Sequence, residues 1–295
     1  VPLQYKRAGR ELEFVQATLD LDAGWPEAVE GCDYVLHFAS PVPGRIPKDE
    51  DELIKPAVEG ALRVLRAANR GTVRRVVVTS SIAAIIYGHN ESRTLTEADW
   101  TVLDAADAYP KSKTLAERAA WEFARESGLE LVSINPGGIF GPLLHAQHPT
   151  SMEAVRRIMS GQLPALPRIG CAPVDVRDLA TAHRLAMQIP AAAGNRYICA
   201  GQHLWMRDMA TILAEEYAPR GYSIATRPMP YWLMWTLGRF DPTLRRRLKF
   251  NGHAETVDST KAAEELGWTM RPIRHTVVDA AESLIRHGVV GTRSR

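Results

Sequence analysis

The chain is 295 residues long, 45% hydrophobic and 24% charged, with a formal net charge of +2 at pH 7. That length suits one large domain or two intimately joined ones, and the composition is ordinary for a globular protein. So small a net charge gives no case for nucleic acid or an anionic membrane as the main partner.

No apolar run approaches the roughly 20 residues of a membrane span. The best candidate, residues 231–237, is far too short. Cys32, Cys171 and Cys199 lie far apart without Cys-x-x-Cys spacing. That argues against a disulfide framework or structural zinc and fits a reducing, cytoplasmic compartment. No signal-peptide pattern and no internal repeat is visible.

Residues 1–10 show no clear period, and residues 12–15 then read as a short strand. A turn and helix follow over 20–30. Residues 33–40 form an apolar strand ending in small residues, as a buried parallel strand does. Residues 48–70 are helical, with an acidic start, an apolar stripe through Leu53, Ala57, Ala61, Leu62 and Leu65, and Gly71 as the stop. Pro56 suits a first-turn position, so the helix proper is expected to begin near it.

A strand over 73–79 ends in Ser80 and Ser81. A polar loop leads to a helix from Tyr109 to about 126, and a strand over 129–134 ends in a turn through Pro136, Gly137 and Gly138. Alternating strands and helices indicate an α/β fold, a doubly wound parallel sheet with helices on both faces. Ligands in such sheets bind beyond the carboxyl ends of the strands.

Past Pro142 the texture changes. Helices are expected over 152–159, 178–188, 206–217, 259–266 and 276–287, with a strand over 196–200. Residues 1–142 are therefore read as one domain and 143–295 mainly as a smaller substrate-covering lobe, with 174–200 returning to the sheet.

Tyr109 and Lys113 stand four residues apart, which a helix turns onto one face. A free tyrosine titrates near pH 10, about three units too high for easy proton shuttling at neutral pH. A neighbouring ammonium favours the phenolate, so Lys113 is expected to lower the Tyr109 pKa. Taken alone, Tyr-x-x-x-Lys arises by chance in many helices.

Three motifs in order strengthen it: Thr79-Ser80-Ser81, then Tyr109 with Lys113, then the run from Asn135 through Pro136, Gly137, Gly138, Ile139 and Phe140 to Pro142. Together they resemble the extended short-chain dehydrogenase/reductases. The segments 31–41 and 54–60 resemble the dihydroflavonol 4-reductase-like branch, within the NAD-dependent epimerase/dehydratase family. The resemblance covers nearly the whole chain and is densest over 12–142.

It implies a Rossmann-type sheet binding NADP or NAD, and a small-molecule aldehyde, ketone or alcohol as substrate. Tyr109 would be the general acid/base, and Lys113 would tune it while holding the nicotinamide ribose. Ser81 would hydrogen-bond the substrate carbonyl. Phe38, Ala39, Ser40, Thr79, Pro136, Gly138 and Ile139 would line the cofactor cleft. Pro41, Ile86 and Met152, with Ser81 and Tyr109, would border the substrate, and Arg45 is a further pocket-edge candidate. A homodimer through the helices at 48–70 and 113–126 is implied as well.

The family's opening Gly-x-x-Gly-x-x-Gly turn has no counterpart before Leu12. Either a segment precedes Val1 in the natural protein, which is the expectation here, or nucleotide binding is weak or absent. At the family's acidic adenine contact this chain has Thr18-Leu19, with Asp20 and Asp22 nearby. Residues 82–86 are all apolar, which favours a simple aldehyde or ketone over a polyhydroxylated flavonoid. A sugar-nucleotide epimerase or dehydratase on the same fold is the second reading. A truncated, non-catalytic binding protein is the third.

Several features have plainer readings. His37, at the end of a buried strand, suits a packed core histidine better than a cofactor contact. His145-x-x-His148 in a loop without further ligands is no metal site. Tyr231, Trp232 and Trp235 at helical spacing are as well suited to core as to pocket wall. Arg245, Arg246, Arg247 and Lys249 suit a solvated face. Arg177 and Asp178 would form a structural pair.

Overall fold

A computed structural model describes residues 13–41, 47–89, 93–240, 248 and 251–291. The segment before Glu13, Arg45 and the basic run Arg245, Arg246, Arg247 and Lys249 therefore lie outside the described residues. In chain order the first elements are α1 (Trp25–Val29), β1 (Tyr34–His37), α2 (Asp51–Arg70), β2 (Arg75–Thr79), α3 (Ala108–Ser127), β3 (Glu130–Pro136) and β4 (Gly138–Phe140). There follow α4 (Met152–Met159), β5 (Gly170–Cys171), β6 (Pro173–Asp175), α5 (Val176–Gln188), β7 (Arg196–Cys199) and β8 (Leu204–Trp205). The chain closes with α6 (Met206–Tyr217), α7 (Tyr231–Gly238), α8 (Thr260–Leu266) and α9 (Ile273–Arg286).

Strands β1, β2, β3 and β7 form one parallel sheet in that order. Side chains alternate across a strand, so each strand feeds two layers. Val76, Val78 and Leu131 pack with Leu65 and Ala68 of α2 and Ala120 and Ala124 of α3. Val77, Val132, Ile134 and Tyr197 pack on the other face with Leu179 and Ala182 of α5 and Ala262 and Leu266 of α8. Both faces are covered, as parallel sheets require. The return of the chain through α5 and β7 is joined by a second return at α8. A separate core, from α4, α6 and α9, holds Val155, Leu213, Tyr217, Val277 and Leu284.

Two links tie these layers together. Buried Arg75, opening β2, donates from Nη1 to the carbonyls of Ala186 (2.9 Å), Met187 (3.2 Å) and Ile189 (2.6 Å) at the end of α5. Its Nη2 reaches Pro190 O (3.1 Å) and its Nε reaches Glu130 (2.8 Å). The cation thus satisfies carbonyls that a helix end leaves without partners. Arg75→Met is expected to cost about 3 kcal/mol in urea unfolding, since several charge-assisted hydrogen bonds go at once. A loss below about 1 kcal/mol would show that water replaces the guanidinium freely.

The second link is at the free edge of β7. Residues 95–99 run alongside, and Glu97 Oε1 accepts the Ile198 N–H at 2.9 Å. Leu95 pairs with Thr256 and Asp258 through backbone bonds of 3.0 and 2.9 Å.

Some sequence expectations fail. Residues 13–15 form no strand, and Phe14 is 84% exposed; an apolar pair without a ladder partner has nothing to hold it extended. Helix α2 starts five residues before Pro56, which sits inside it. Buried Leu53 and the Asp49–Glu50 turn, which accepts from Leu53 and Ile54, start the helix upstream of the proline. In α7, Tyr231, Trp232 and Trp235 are all exposed, Trp232 to 67%, so the aromatic cluster is neither core nor enclosed wall. Arg177 and Asp178 do not pair with each other. Arg177 bridges Asp175 and Asp279, while Asp178 holds Arg271 at 2.7 Å.

Candidate active site

The carboxyl ends of β1, β2 and β3 converge beside the first turn of α3. Ser81 lies two residues beyond β2 and caps a short 3-10 turn, Ile82–Ala84, its Oγ accepting the Ala83 N–H at 3.0 Å. With a lone pair engaged there, the hydroxyl proton is left for a partner on the Tyr109 side. Buried Thr101 clamps this turn: its Oγ1 donates to Ala83 O (2.8 Å) and accepts from Tyr87 N (3.1 Å).

Tyr109 enters on α3, half-buried and hydrogen-bonded with Ser81. Burial pushes its phenol above the usual tyrosine range, and the Ser81 hydrogen bond only partly opposes that. The expected lowering by Lys113 is therefore not what this site does. Lys113 is on the same face, its Nζ 6.0 Å from the ring centroid, but burial sets the direction of the shift. Lys113 is itself buried, and its pKa is pushed down to about 8 by burial, with the Glu117 charge resisting.

Beside Lys113 runs a narrow cleft lined by His37, Ala39, Ser40, Thr79, Ser80 and, on the helices, small residues such as Ala57, Ala61 and Ala116. Small side chains on α2 and α3 let the cleft reach the strand ends. The chemistry of this lining suits a nucleotide ribose, with Lys113 as the cation and Ser40 as a hydroxyl partner. Thr79 donates its hydroxyl to His183 Nε2 (2.8 Å), because His183 Nδ1–H is held by Leu179 O (2.9 Å). Phe38 is 57% exposed and leans on the His183 ring, centroids 4.8 Å apart, at the rim rather than inside. Pro136 ends β3 against Cys199. Gly138 donates to Ala172 O at 2.8 Å, and Ile139 pairs with Val174.

The substrate side is less uniform. Pro41 is half-buried after the cleft residues. Ile86 packs against a cluster of Ile82, Ile85, Leu95 and Ile198. Because Ile82, Ala83, Ala84 and Ile85 are core, their apolarity says nothing about substrate, and that argument against a hydroxylated substrate falls. Met152 is 1% exposed inside the α4 core, so it is packing rather than pocket edge. His148 Nε2 is 3.2 Å from Glu153, and no group of three or more potential metal ligands occurs among the described residues. Asp22 pairs with Arg63 (2.7 Å), whose Nη1 donates to Leu19 O.

His37 closes the cleft floor. Burial, with a smaller contribution from Lys113, lowers its pKa to about 4, so the ring is neutral at working pH. The folded value lies below the unfolded one, so this stability is complete above about pH 6.5 and is lost as pH falls through about 4, roughly 3 kcal/mol in all. His37→Asn is expected to lose less stability than the parent between pH 7 and pH 4.5 in urea titrations. Parallel curves would refute that assignment.

Sequence reasoning missed Glu117, Arg196, Thr101 and His183. Glu117 carried a readable signal: it repeats the Tyr109–Lys113 spacing once more, an acid on a helix face that is otherwise packed.

A doubly wound parallel sheet with serine, tyrosine and lysine gathered at its strand ends defines a class of nucleotide-dependent oxidoreductases and their relatives. Residues 3–200 match the model of the NAD dependent epimerase/dehydratase family, and the chain belongs to that family. Cinnamoyl-CoA reductase 1 of Petunia hybrida is 38% identical over 212 residues, 68% of this chain and 62% of that protein. Its Arabidopsis thaliana namesake is 38% identical over 64% of this chain and 55% of its own length. The chain thus spans less than two thirds of these curated relatives. The yeast methylglyoxal/isovaleraldehyde reductase Gre2, solved with NADPH, matches with a TM-score of 0.73 at 30% identity, over 90% of this chain and 81% of that one.

Proposed function

We propose that this chain carries the catalytic centre of an NADP- or NAD-dependent reductase that converts an aldehyde or ketone to its alcohol. The observation that carries the reading is the gathering of Ser81, Tyr109 and Lys113 at the strand ends, with Lys113 Nζ 6.0 Å from the Tyr109 ring centroid and Ser81 beside the phenol. The reductase names of the relatives, and the NADPH held by the yeast protein, agree with it.

A bound dihydronicotinamide would supply the hydride. As the carbonyl carbon accepts it, charge builds on the oxygen. Ser81 donates a hydrogen bond to that oxygen, and Tyr109 gives it the phenolic proton from Oη. Lys113 holds positive charge behind the phenol and offers donors to a ribose. The raised Tyr109 pKa keeps the phenol protonated near neutral pH, the form that reduction needs. Alcohol oxidation would demand the phenolate and should favour higher pH.

The test is cofactor oxidation by the protein with NADPH or NADH and a panel of aliphatic and aromatic aldehydes and ketones. Turnover with none of them, alongside conversion of a nucleotide sugar with tightly retained NAD, would replace the reading with an epimerase. A cytoplasmic setting is part of the proposal, and Cys32, Cys171 and Cys199, none in a disulfide, accord with it. No helix among the described residues is long and apolar enough to cross a membrane. Homodimerisation through α2 and α3 is part of the proposal, checked by sedimentation.

A further inference from the structure

Behind the reacting groups, one carboxylate gathers an unusual set of partners. Glu117 is 2% exposed, one helical turn beyond Lys113 and two beyond Tyr109. Its Oε2 accepts from Ser80 Oγ at 2.5 Å and Asn135 Nδ2 at 2.8 Å, and Arg196 Nη2 stands 3.3 Å away. Its Oε1 accepts from Arg196 Nε at 2.7 Å and Trp121 Nε1 at 3.3 Å. Asn135 Nδ2 also reaches the Ser81 carbonyl at 3.3 Å, and Ser133 Oγ donates to Asn135 Oδ1 at 3.1 Å, which fixes the amide. The same carboxylate therefore holds both residues of the Ser80–Ser81 corner, one directly and one through Asn135.

Arg196 has other work. Its Nη1 donates to the carbonyls of Glu97 (2.5 Å) and Asp99 (2.9 Å), and its guanidinium lies 3.7 Å from the Trp100 ring centroid. Lys113 Nζ makes no hydrogen bond among the described residues. The ionisable groups facing it are His37 from β1 and Tyr109 and Glu117 from its own helix, with Arg196 of β7 beyond Glu117. Glu117 is the one carboxylate among them.

We propose that Glu117 is a positioning residue for the reductase chemistry, fixing the Ser81 corner through Ser80 and Asn135 and standing as the carboxylate one helical turn behind Lys113. This rests on the reductase reading above. Burial alone drives Lys113 toward the neutral amine, and Glu117 is the named group that resists. A neutral Lys113 could neither favour the Tyr109 phenolate nor donate three hydrogen bonds to a ribose.

Glu117→Gln keeps the shape and removes the charge. The expected result is a Lys113 midpoint at least about one pH unit lower, a tenfold change in its protonation equilibrium. It is read by NMR of lysine-labelled protein, with the Lys113 resonance assigned by its loss in Lys113→Met. The basic limb of kcat/KM against pH should move down with it, so that activity falls more at pH 8 than at pH 6.

An unchanged midpoint, or an equal loss at every pH, would overturn the proposal. Because Gln leaves Arg196 with its charge buried, Glu117→Gln/Arg196→Met removes both charges and should show the same lowered midpoint. If neither variant folds, Glu117→Asp decides: it should keep the wild-type midpoint while losing kcat as Ser80 goes out of reach, and unaltered kcat would count against us. A wild-type protein that reduces no carbonyl would end the reductase reading, while the NMR titration would still decide the role of Glu117.

Discussion

Tyr109→Phe is expected to lower kcat/KM for carbonyl reduction by about a thousandfold, within the range that a positioned general acid contributes. The ring remains, so packing on α3 and the reach of Lys113 to a ribose are preserved. NADPH affinity should change by less than about threefold, because the hydroxyl is used on the reacting oxygen rather than for binding. Fluorescence titration of NADPH alongside turnover separates these two outcomes. Activity within tenfold of wild type would remove Tyr109 from the chemistry, and loss of cofactor binding instead would move its role to the cleft. The pH profile adds a check. A phenol pushed up by burial is fully protonated at neutrality, so the reduction rate should not gain from acidification between pH 7 and pH 6.

Gly137→Ala should be the most damaging single methyl among the described glycines. A Cβ there would overlap the Ala172 carbonyl oxygen and stand 3.0 Å from Ala200 Cβ. The obstacle is backbone that cannot step aside. Ala172 is buried, its N–H bonded to Glu255 Oε2 at 2.7 Å and its carbonyl accepting from Gly138. Overpacking of this kind costs about 1–3 kcal/mol where neighbours can relax, and more is expected where they cannot. Urea unfolding should show a loss of about 3 kcal/mol or more. The Pro136–Gly138 corner would shift with it, so residual protein should bind cofactor poorly. A stability loss under about 1 kcal/mol would show that β6 moves as a unit to admit the methyl.

What could be read beforehand follows from how local each signal is. Strands such as β2 are continuous apolar runs, and α4 and α6 show a clean helical stripe, so their limits were legible within a residue or two. That Ser81, Tyr109 and Lys113 would come together was legible because each sits in a short motif at a strand end or helix start. Partners brought from afar were not. Glu117 and Arg196 are 79 positions apart and Asp178 and Arg271 are 93 apart, and nothing in either segment marks its mate. Apolar residues are silent for another reason. Met152 and Ile85 look the same on paper whether they face a ligand or a core, and only tertiary packing sends both inward. The Tyr109 pKa is the instructive case: spacing supplies the neighbouring cation, but the depth of burial that sets the direction belongs to the whole fold.

The covering of β7 by residues 95–99 has a consequence for how these molecules behave in a crowd. An edge strand with bare N–H groups is a template on which another chain can lay its own strand, the first step toward fibres. Here Glu97 spends a carboxylate on the Ile198 N–H, and Arg196 grips the Glu97 and Asp99 carbonyls from beneath. A strand arriving at that flank would have to displace a hydrogen-bonded carboxyl side chain and a seated guanidinium before gaining a single ladder bond. Glu97→Ala would therefore show itself less in melting temperature than in light scattering on storage, as turbid samples from protein that is still folded.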